Sequence, residues 1–220
     1  MGFTIPALMH LRTVTKTVLK KKATPSVLVL APTRELAMQT QAVCDECAEN
    51  VEFKSVCIYG GMEKWQQLKM VNDKINMIVA TPGRLLSLMR EGHIDLSHVT
   101  YFVLDEADRL LDMGFEADIR EIAGVIKPRE DRQTLLFSAT WPETVQKFGL
   151  ELVKPKYFRI DIGREPSLIQ NEDGEMVVQA DRLIANNRIT QTVFVMDDDR
   201  PKRNKLRDLM SKVDRSEELE

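Results

Sequence analysis

The chain has 220 residues, of which 43% are hydrophobic and 30% are charged, which is the composition of a globular protein with a substantial core. No uninterrupted apolar stretch is long enough to cross a bilayer, and residues 1–11 lack the basic leader of a signal peptide. The formal net charge of −3 gives no general attraction to nucleic acid, so any such binding must use a local cluster of residues.

Short apolar runs alternate with helical patterns along the first 153 residues. Strands are predicted over residues 27–31, 55–59, 77–80, 101–104 and 134–137. Helices are predicted over residues 34–50, 62–71, 84–90, 115–125 and 143–152. Because strands that alternate with helices indicate β-α units, the predicted fold class is α/β with a mostly parallel sheet flanked by helices.

The pattern changes after residue 153. Residues 154–170 are predicted as strand and loop, and residues 171–181 as a polar excursion, so residues 154–188 are interpreted as a connector. A strand is then predicted over residues 189–196. A short helix should follow, because four apolar residues fall on one helical face: Leu206, Leu209, Met210 and Val213. One such strand-helix pair cannot bury its own apolar face, so residues 189–220 are predicted to begin a second domain.

The three cysteines and a lysine cluster have plain structural interpretations. An odd number of cysteines without framework spacing indicates a reducing compartment. Cys44 and Cys47 have C-x-x-C spacing, but a zinc site needs a second ligand pair and a redox pair lacks its context, so thiols on a helix are preferred. Lys20–Lys22 is interpreted as a solvated loop, with a nucleic-acid contact as the alternative.

The end of the first predicted strand carries a possible phosphate site. Pro32 stops the strand, Thr33 is a predicted N-cap, and Arg34 adds positive charge at the start of the next helix. A helix N-terminus beside an arginine is suited to binding phosphate. Simple helix capping also explains this motif, so both interpretations stay open.

A similar arrangement follows another predicted strand. Thr81 is the expected N-cap, Pro82 suits the first helical position, Gly83 permits close approach of a backbone, and Arg84 again supplies charge. Gly60–Gly61 adds a third point of close approach, although such a pair is usually only a turn. Together these residues favour a track along a polyphosphate chain.

Acidic residues follow the apolar run 101–104 directly. Ligands of parallel sheets bind at the carboxyl ends of the strands, so Asp105, Glu106 and Asp108 reach the position where chemistry takes place. Asp105 suits Mg²⁺, which is typically held through one or two carboxylates and phosphate oxygens, and Glu106 suits a general base that polarises water. Asp108 is better placed to bond neighbouring loops. An acidic helix start favoured by the helix dipole is the alternative.

Two hydroxyl residues end the next predicted strand. Ser138 and Thr140 can bridge to the carboxylates of the neighbouring strand, although small polar residues also commonly cap the following helix. The usual partner of such an acidic site at a nucleoside triphosphate, a G-x-x-x-x-G-K-[ST] phosphate loop, does not occur in the sequence.

In this order the motifs resemble those of the DEAD-box family of ATP-dependent RNA helicases. The matching segments are Pro32–Ala37 (motif Ia), Gly60–Gly61 (the GG motif), Thr81–Arg84 (motif Ib), Asp105–Asp108 (motif II) and Ser138–Thr140 (motif III). Asp112–Phe115 and Trp141–Pro142 also look like family sequence, so the resemblance covers nearly the whole chain.

The resemblance implies a RecA-like first domain of an RNA-stimulated ATPase that uses ATP and Mg²⁺ and unwinds short RNA duplexes. Asp105 would hold Mg²⁺ through water, Glu106 would activate the hydrolytic water, and Asp108 would contact Ser138 and Thr140 to couple hydrolysis to strand separation. The sugar-phosphate backbone would be bound without reading of sequence. The residues expected at this RNA surface are Pro32, Thr33, Arg34, Gly60, Gly61, Thr81, Pro82, Gly83 and Arg84.

The chain also departs from the family pattern at both ends. The family's adenine-reading motif and Walker A loop are expected before residue 1, because residues 2–8 look like the helix that follows that loop. Most of the second domain, with the arginines that complete the ATP site, is expected beyond residue 220. We therefore expect the 220-residue polypeptide alone to bind ATP poorly, to show no RNA-stimulated hydrolysis, and to aggregate or fold only partly.

Two other functions stay open at this stage. A non-catalytic truncated protein could bind RNA or a helicase partner and act as a regulator, and a DNA helicase of the wider superfamily would share several of the motifs. The form of the motifs favours RNA. No targeting signal is found, so the nucleus and the cytoplasm are both compatible with the sequence.

Overall fold

The computed structural model describes residues 2–14, 24–48, 53–71, 75–162, 164–170, 176–183, 192–196 and 198–217. The chain divides into two compact units, Met1–Phe158 and Arg159–Glu220. The predicted boundaries after residues 153 and 188 remain predictions, and the lysine cluster Lys20–Lys22 lies outside the described residues. None of the described helices combines the length and the apolar character that crossing a bilayer requires.

One all-parallel sheet forms the centre of the first unit. Its strands are β1 (Val27–Leu30), β2 (Ser55–Ile58), β3 (Met77–Ala80), β4 (Tyr101–Leu104) and β5 (Gln133–Leu136). Their spatial order is β2-β3-β1-β4-β5. Every residue of the three central strands is buried, as the unbroken apolar sequence of these strands predicts. The edge strand β5 is mostly half-buried.

Helices cover both faces of this sheet. They are α1 (Thr4–Val14), α2 (Arg34–Ala48), α3 (Lys64–Met70), α4 (Pro82–Arg90), α5 (Ala107–Asp112), α6 (Glu116–Val125) and α7 (Glu143–Leu152). Because side chains alternate along a strand, Leu28 and Phe102 join one core cluster with residues of α4, α6 and α7. Val29 and Tyr101 join a second cluster with residues of α1 and α2. The first unit is therefore a three-layer α/β structure.

The parallel strands end at the same level. Leu30 pairs with both Ala80 and Leu104, and the outer strands continue this register. Backbone hydrogen bonds continue one residue past the strands, because the N–H groups of Thr81, Asp105 and Phe137 each donate to a neighbouring strand at 2.9 Å. The segments that follow the five strands therefore leave from one edge of the sheet at fixed positions.

The second unit contains a hairpin and a helix. Strands β6 (Arg164–Gln170) and β7 (Met176–Leu183) pair antiparallel, and α8 spans Asp199–Glu217. The helix was predicted, although it is longer than expected. The predicted strand over 189–196 is wrong for residues 192–196, which are in no strand, and residues 189–191 lie outside the described part. An apolar run becomes a strand only when a partner pairs with it, which local sequence does not reveal.

The predicted elements of the first unit are confirmed within a few residues. The structure adds α1, expected from the family resemblance alone, and α5, which was not predicted because its six residues are too few to show periodicity. Helix α2 is described to Ala48, and the last two residues of the predicted helix lie outside the described part.

The cysteines are free thiols, as predicted. Cys44 and Cys47 lie on α2, and Cys57 lies on β2. Burial raises the pKa of Cys44 to about 11 and that of Cys57 to about 12. The described residues contain no group of three or more histidine, cysteine or acidic side chains placed to hold a metal ion. A zinc site at Cys44 and Cys47 is therefore not supported by any described residue.

Cys47 is expected to react with iodoacetamide before the other two cysteines in the folded protein. It is the one that is half-buried, whereas Cys44 and Cys57 are buried and have raised pKa values, so little of either is a thiolate at pH 8. Peptide mass spectrometry over a time course measures the three rates, and unfolding in urea should equalise them. Equal labelling of Cys57 and Cys47 without denaturant would contradict the structure.

Candidate functional site

The candidate site lies along the carboxyl ends of the five parallel strands, and it has two halves. The predicted site residues follow the strands in the order Gly60–Gly61 (β2), Thr81–Arg84 (β3), Pro32–Arg34 (β1), Asp105–Asp108 (β4) and Ser138–Thr140 (β5). The glycines, helix starts and arginines therefore occupy one half, and the carboxylates and hydroxyls occupy the other. The structure thus brings the members of each half together.

Asp105 is the first residue after β4 and is half-buried. Its backbone N–H donates to the Leu30 carbonyl oxygen at 2.9 Å, which fixes the start of the acidic loop. Its Oδ1 accepts the Glu106 N–H at 3.1 Å. Burial raises the pKa of Asp105, and the hydrogen bond from Glu106 only partly opposes this effect. The surroundings of Asp105 therefore do not fully stabilise its negative charge, and a cation beside the carboxylate would do so.

Glu106 has a left-handed backbone, with φ of 50° and ψ of 56°. It is the sole non-glycine residue with positive φ in the described part of the chain. This conformation is uncommon for a side chain of this size and costs on the order of 1 kcal/mol or more. Two hydrogen bonds hold the peptide group that follows Glu106, because Ala107 N–H donates to Phe137 O at 2.9 Å and Leu110 N–H donates to Glu106 O at 2.9 Å. Such strain is concentrated at functional sites.

Asp108 joins the acidic loop to the end of β5, as predicted. Its Oδ2 accepts the Thr140 hydroxyl at 2.7 Å and the Thr140 N–H at 3.0 Å. Its own backbone N–H donates to Ser138 Oγ at 3.2 Å, and that hydroxyl donates to Thr140 O at 2.7 Å. Burial acts to raise the pKa of Asp108, but the hydrogen bonds that its carboxylate accepts from Thr140 and from the Arg109 N–H outweigh it and lower the pKa.

We expect Asp108→Ala and Thr140→Val to be coupled by roughly 1 kcal/mol in the free energy of unfolding, because each removes one side of the same hydrogen bond. Urea unfolding of the two single variants, the double variant and the parent measures this coupling. Glu130→Ala replaces Asp108→Ala in a control cycle, because Glu130 precedes β5 and lies towards the opposite end of that strand. Additive effects of Asp108→Ala and Thr140→Val would show that the bond is not made in solution.

The other half begins with the predicted cap after β1. Thr33 Oγ1 accepts the Leu36 N–H at 3.2 Å, which confirms Thr33 as a capping residue. Arg34 is exposed, and its Nε donates to Glu35 Oε1 at 2.5 Å, an interaction that raises the pKa of Arg34 and lowers that of Glu35. A side chain at Gly61 would meet Arg34 Nη1 at 3.7 Å, so this arginine lies beside the glycine loop.

The motif after β3 differs from its prediction in one respect. Thr81 is the N-cap residue of α4 and Pro82 begins the helix, but the Thr81 side chain makes no capping hydrogen bond. Arg84 is half-buried and turned inward, because its Nη1 donates to Met62 O at 2.7 Å and contacts Gln67 Oε1 at 3.5 Å. A direct RNA contact by Arg84 remains a prediction, and the inward contacts were not predicted.

Comparison with known proteins identifies the family. The family model for the DEAD/DEAH box helicase matches residues 1–148, which is more than half of the chain. The chain belongs to this family. Its five-stranded parallel sheet with helices on both faces is the RecA-like arrangement that the resemblance implied, so the predicted fold class is confirmed.

Named relatives within the DEAD/DEAH box helicase family are moderately similar to the chain. The ATP-dependent RNA helicase DBP3 of Mycosarcoma maydis is 42% identical over 220 residues, covering 96% of this chain and 35% of that protein. The ATP-dependent RNA helicase DBP2 of Pyricularia oryzae is 38% identical, covering 96% and 34%. The DEAD-box ATP-dependent RNA helicase 20 of rice is 37% identical, covering 97% and 39%. The chain therefore spans roughly a third of the length of these relatives.

Some features of this helicase-family site escaped the sequence analysis. Arg109 Nη1 donates to Glu106 Oε2 at 3.2 Å, and the i, i+3 spacing of an acid and a base could have indicated this pair. The left-handed conformation of Glu106 and the inward turn of Arg84 had no signal in the sequence. Neither did the burial of Gln67, which is a polar residue in the middle of a predicted helix.

Proposed function

We propose that the protein is an ATP-dependent RNA helicase with RNA-stimulated ATPase activity. The observation that carries the proposal is the edge of the sheet, where a carboxylate half and a half suited to phosphate lie side by side. The names of the relatives, which describe ATP-dependent RNA helicases, support the same function. The chain covers about a third of those relatives and holds no G-x-x-x-x-G-K-[ST] motif. ATP binding is therefore proposed for the whole protein.

In the proposed mechanism the acidic loop acts on the γ-phosphate of ATP. Glu106 accepts a proton from the attacking water, and its left-handed backbone is held by the hydrogen bonds of the peptide group that follows it. Through its hydrogen bonds with Thr140 and Ser138, Asp108 couples the conformation of this loop to that of the segment after β5. Hydrolysis can thereby move the segment after β5, and this movement requires no new contact between that segment and the nucleotide.

The residues present fit a magnesium ion at Asp105. This carboxylate is half-buried at the end of β4, its pKa is raised by burial, and Mg²⁺ usually takes only one or two carboxylates. Bound there, Mg²⁺ would neutralise charge on the phosphate oxygens. The described residues contain no cluster of three ligating side chains that could hold the ion without water or phosphate oxygens.

The proposed RNA surface is the other half of the edge. Arg34 is exposed beside Gly61, and the pair it forms with Glu35 is solvent-exposed, so a phosphate can compete for it at small cost. Helices α2 and α4 begin directly after Thr33 and Thr81 in this half of the site, and helix N-termini favour phosphate. Contacts of this kind bind the sugar-phosphate backbone without reading bases.

The test is ATP hydrolysis by the natural full-length protein, measured with and without a single-stranded RNA and with a DNA strand of the same sequence. RNA-stimulated hydrolysis together with unwinding of a short RNA duplex supports the proposal. RNA binding without any hydrolysis would instead support a non-catalytic RNA-binding regulator, and equal stimulation by DNA would support a helicase of broader specificity.

We further propose that the protein acts inside the cell, in the nucleus or the cytoplasm. Its three cysteines are free thiols, which fits a reducing compartment. An RNA substrate fits both locations. Fluorescence microscopy of the tagged full-length protein tests this, and secretion would contradict it.

A further inference from the structure

Gln67 is a polar side chain that is fully buried, with an exposed fraction of 0%, and no motif assigns it a role. Its Nε2 donates to the Tyr59 carbonyl oxygen at 2.7 Å, and its Oε1 lies 3.5 Å from Arg84 Nη1. The same Arg84 nitrogen donates to the Met62 carbonyl oxygen at 2.7 Å. These contacts connect α3, α4 and the loop after β2, and we refer to Gln67 and Arg84 together as the amide-guanidinium clamp.

The clamp holds the backbone on both sides of the glycine pair. Tyr59 immediately precedes Gly60–Gly61, and Met62 immediately follows. Gly61 has φ of +89°, and glycine has more backbone conformations available than any other residue. Fixing the carbonyl groups of Tyr59 and Met62 therefore restricts the freedom that the two glycines would otherwise give the loop.

We propose that Gln67 is a positioning residue, which with Arg84 holds the Gly60–Gly61 loop in the conformation that meets an RNA phosphate beside Arg34. This inference rests on the proposed function. A loop that is already fixed loses less conformational entropy when it binds, so the clamp increases RNA affinity without touching RNA. Arg84 then acts inward on the loop and makes no phosphate contact of its own.

The first experiment measures the affinity of the natural full-length protein for a short single-stranded RNA of mixed sequence. Gln67→Met keeps the size of the side chain and loses both polar contacts, so we expect Kd to rise about 3- to 10-fold or more. Gln67→Glu keeps an acceptor for Arg84 and loses the donor to Tyr59 O, so we expect a smaller rise. Gln66→Met, the adjacent half-buried glutamine of α3, is the matched control and should bind as the parent does.

A merely structural role of Gln67 would give a different pattern. The proposal predicts a higher RNA concentration for half-maximal ATPase stimulation, with an unchanged rate at saturating RNA and an unchanged rate without RNA. Reduced stability with unchanged RNA affinity of the folded protein would overturn it. Gln67→Glu, which retains the acceptor for Arg84, answers the question if Gln67→Met does not fold.

Salt dependence separates an inward role of Arg84 from a direct contact. Removing one phosphate contact lowers the slope of log Kd against log salt by about 1. We expect Arg34→Met to lower this slope and Arg84→Met to weaken binding with the slope unchanged. A lower slope for Arg84→Met would overturn the clamp, whereas a parent protein that binds no RNA at all would overturn the proposed function itself.

Discussion

Replacing Glu106 with glutamine is expected to lower the rate of ATP hydrolysis by the natural full-length protein roughly 100- to 10,000-fold. Glutamine has nearly the same shape but cannot accept a proton from water. The surrounding backbone bonds do not involve the Glu106 carboxylate, so the left-handed loop should remain in place. We therefore expect the affinity for ATP and for RNA to change little while the rate of the chemical step falls.

Steady-state phosphate release at saturating ATP and RNA measures this effect, and equilibrium binding of the same variant shows whether the site is intact. Glu130→Gln is the matched control, because Glu130 is exposed in the loop before β5, away from the edge that carries the acidic loop. A Glu106→Gln protein that hydrolyses ATP at the parent rate would remove Glu106 from the role of general base.

Most helices and strands of the first unit could be predicted because short stretches of the sequence indicate them. The runs at residues 27–30, 77–80 and 101–104 are apolar throughout, which only a strand buried on both faces explains. The first two runs are followed within a few residues by a predicted N-cap, Thr33 or Thr81, at the start of a helix. Residues 154–170, which include β6, were predicted as strand and loop, but β7 and its pairing with β6 were missed, because this hairpin depends on the pairing of its strands and not on a strong pattern in β7.

The roles of the candidate site residues remain predictions, and only some of the contacts among them could be predicted. That Asp108 would meet Ser138 and Thr140 followed from the family resemblance, and the structure confirms these contacts. The inward direction of Arg84 could not be predicted, since it depends on the carbonyl of Met62 and on Gln67, which belong to other elements. The contacts of a long side chain are decided by the packed structure and leave no periodic trace in the sequence.

Arg132 illustrates the same point for stability. It lies just before β5 and is only 4% exposed. Its guanidinium donates to Lys127 O at 2.6 Å, Leu152 O at 3.3 Å and Thr134 Oγ1 at 3.1 Å, and its Nη1 also lies 3.4 Å from Ala123 O. Two of these carbonyl groups belong to the last turns of α6 and α7, where a positive charge is favoured by the helix dipole. One side chain thus joins two helix ends to the sheet.

Substitution of Arg132 by methionine is therefore expected to destabilise the first unit by about 3–5 kcal/mol. Methionine fills much of the space but donates no hydrogen bond, so buried carbonyl oxygens at the ends of both helices lose their partner. Arg132→Lys should be intermediate, because an ammonium group cannot reach the several acceptors that the planar guanidinium serves at once.

Urea unfolding measures these differences, with Arg129→Met as the control, since Arg129 lies in the same loop and forms an ion pair with the exposed Glu130. A large loss for Arg132→Met but none for Arg132→Lys would mean that a positive charge at the helix ends, with the fewer hydrogen bonds of an ammonium group, is sufficient. Equal, large losses for both would assign the stability to the geometry of the guanidinium alone. The ordering of the two variants therefore shows how much of the stability contributed by Arg132 depends on the planar guanidinium, beyond what a positive charge at the same position supplies.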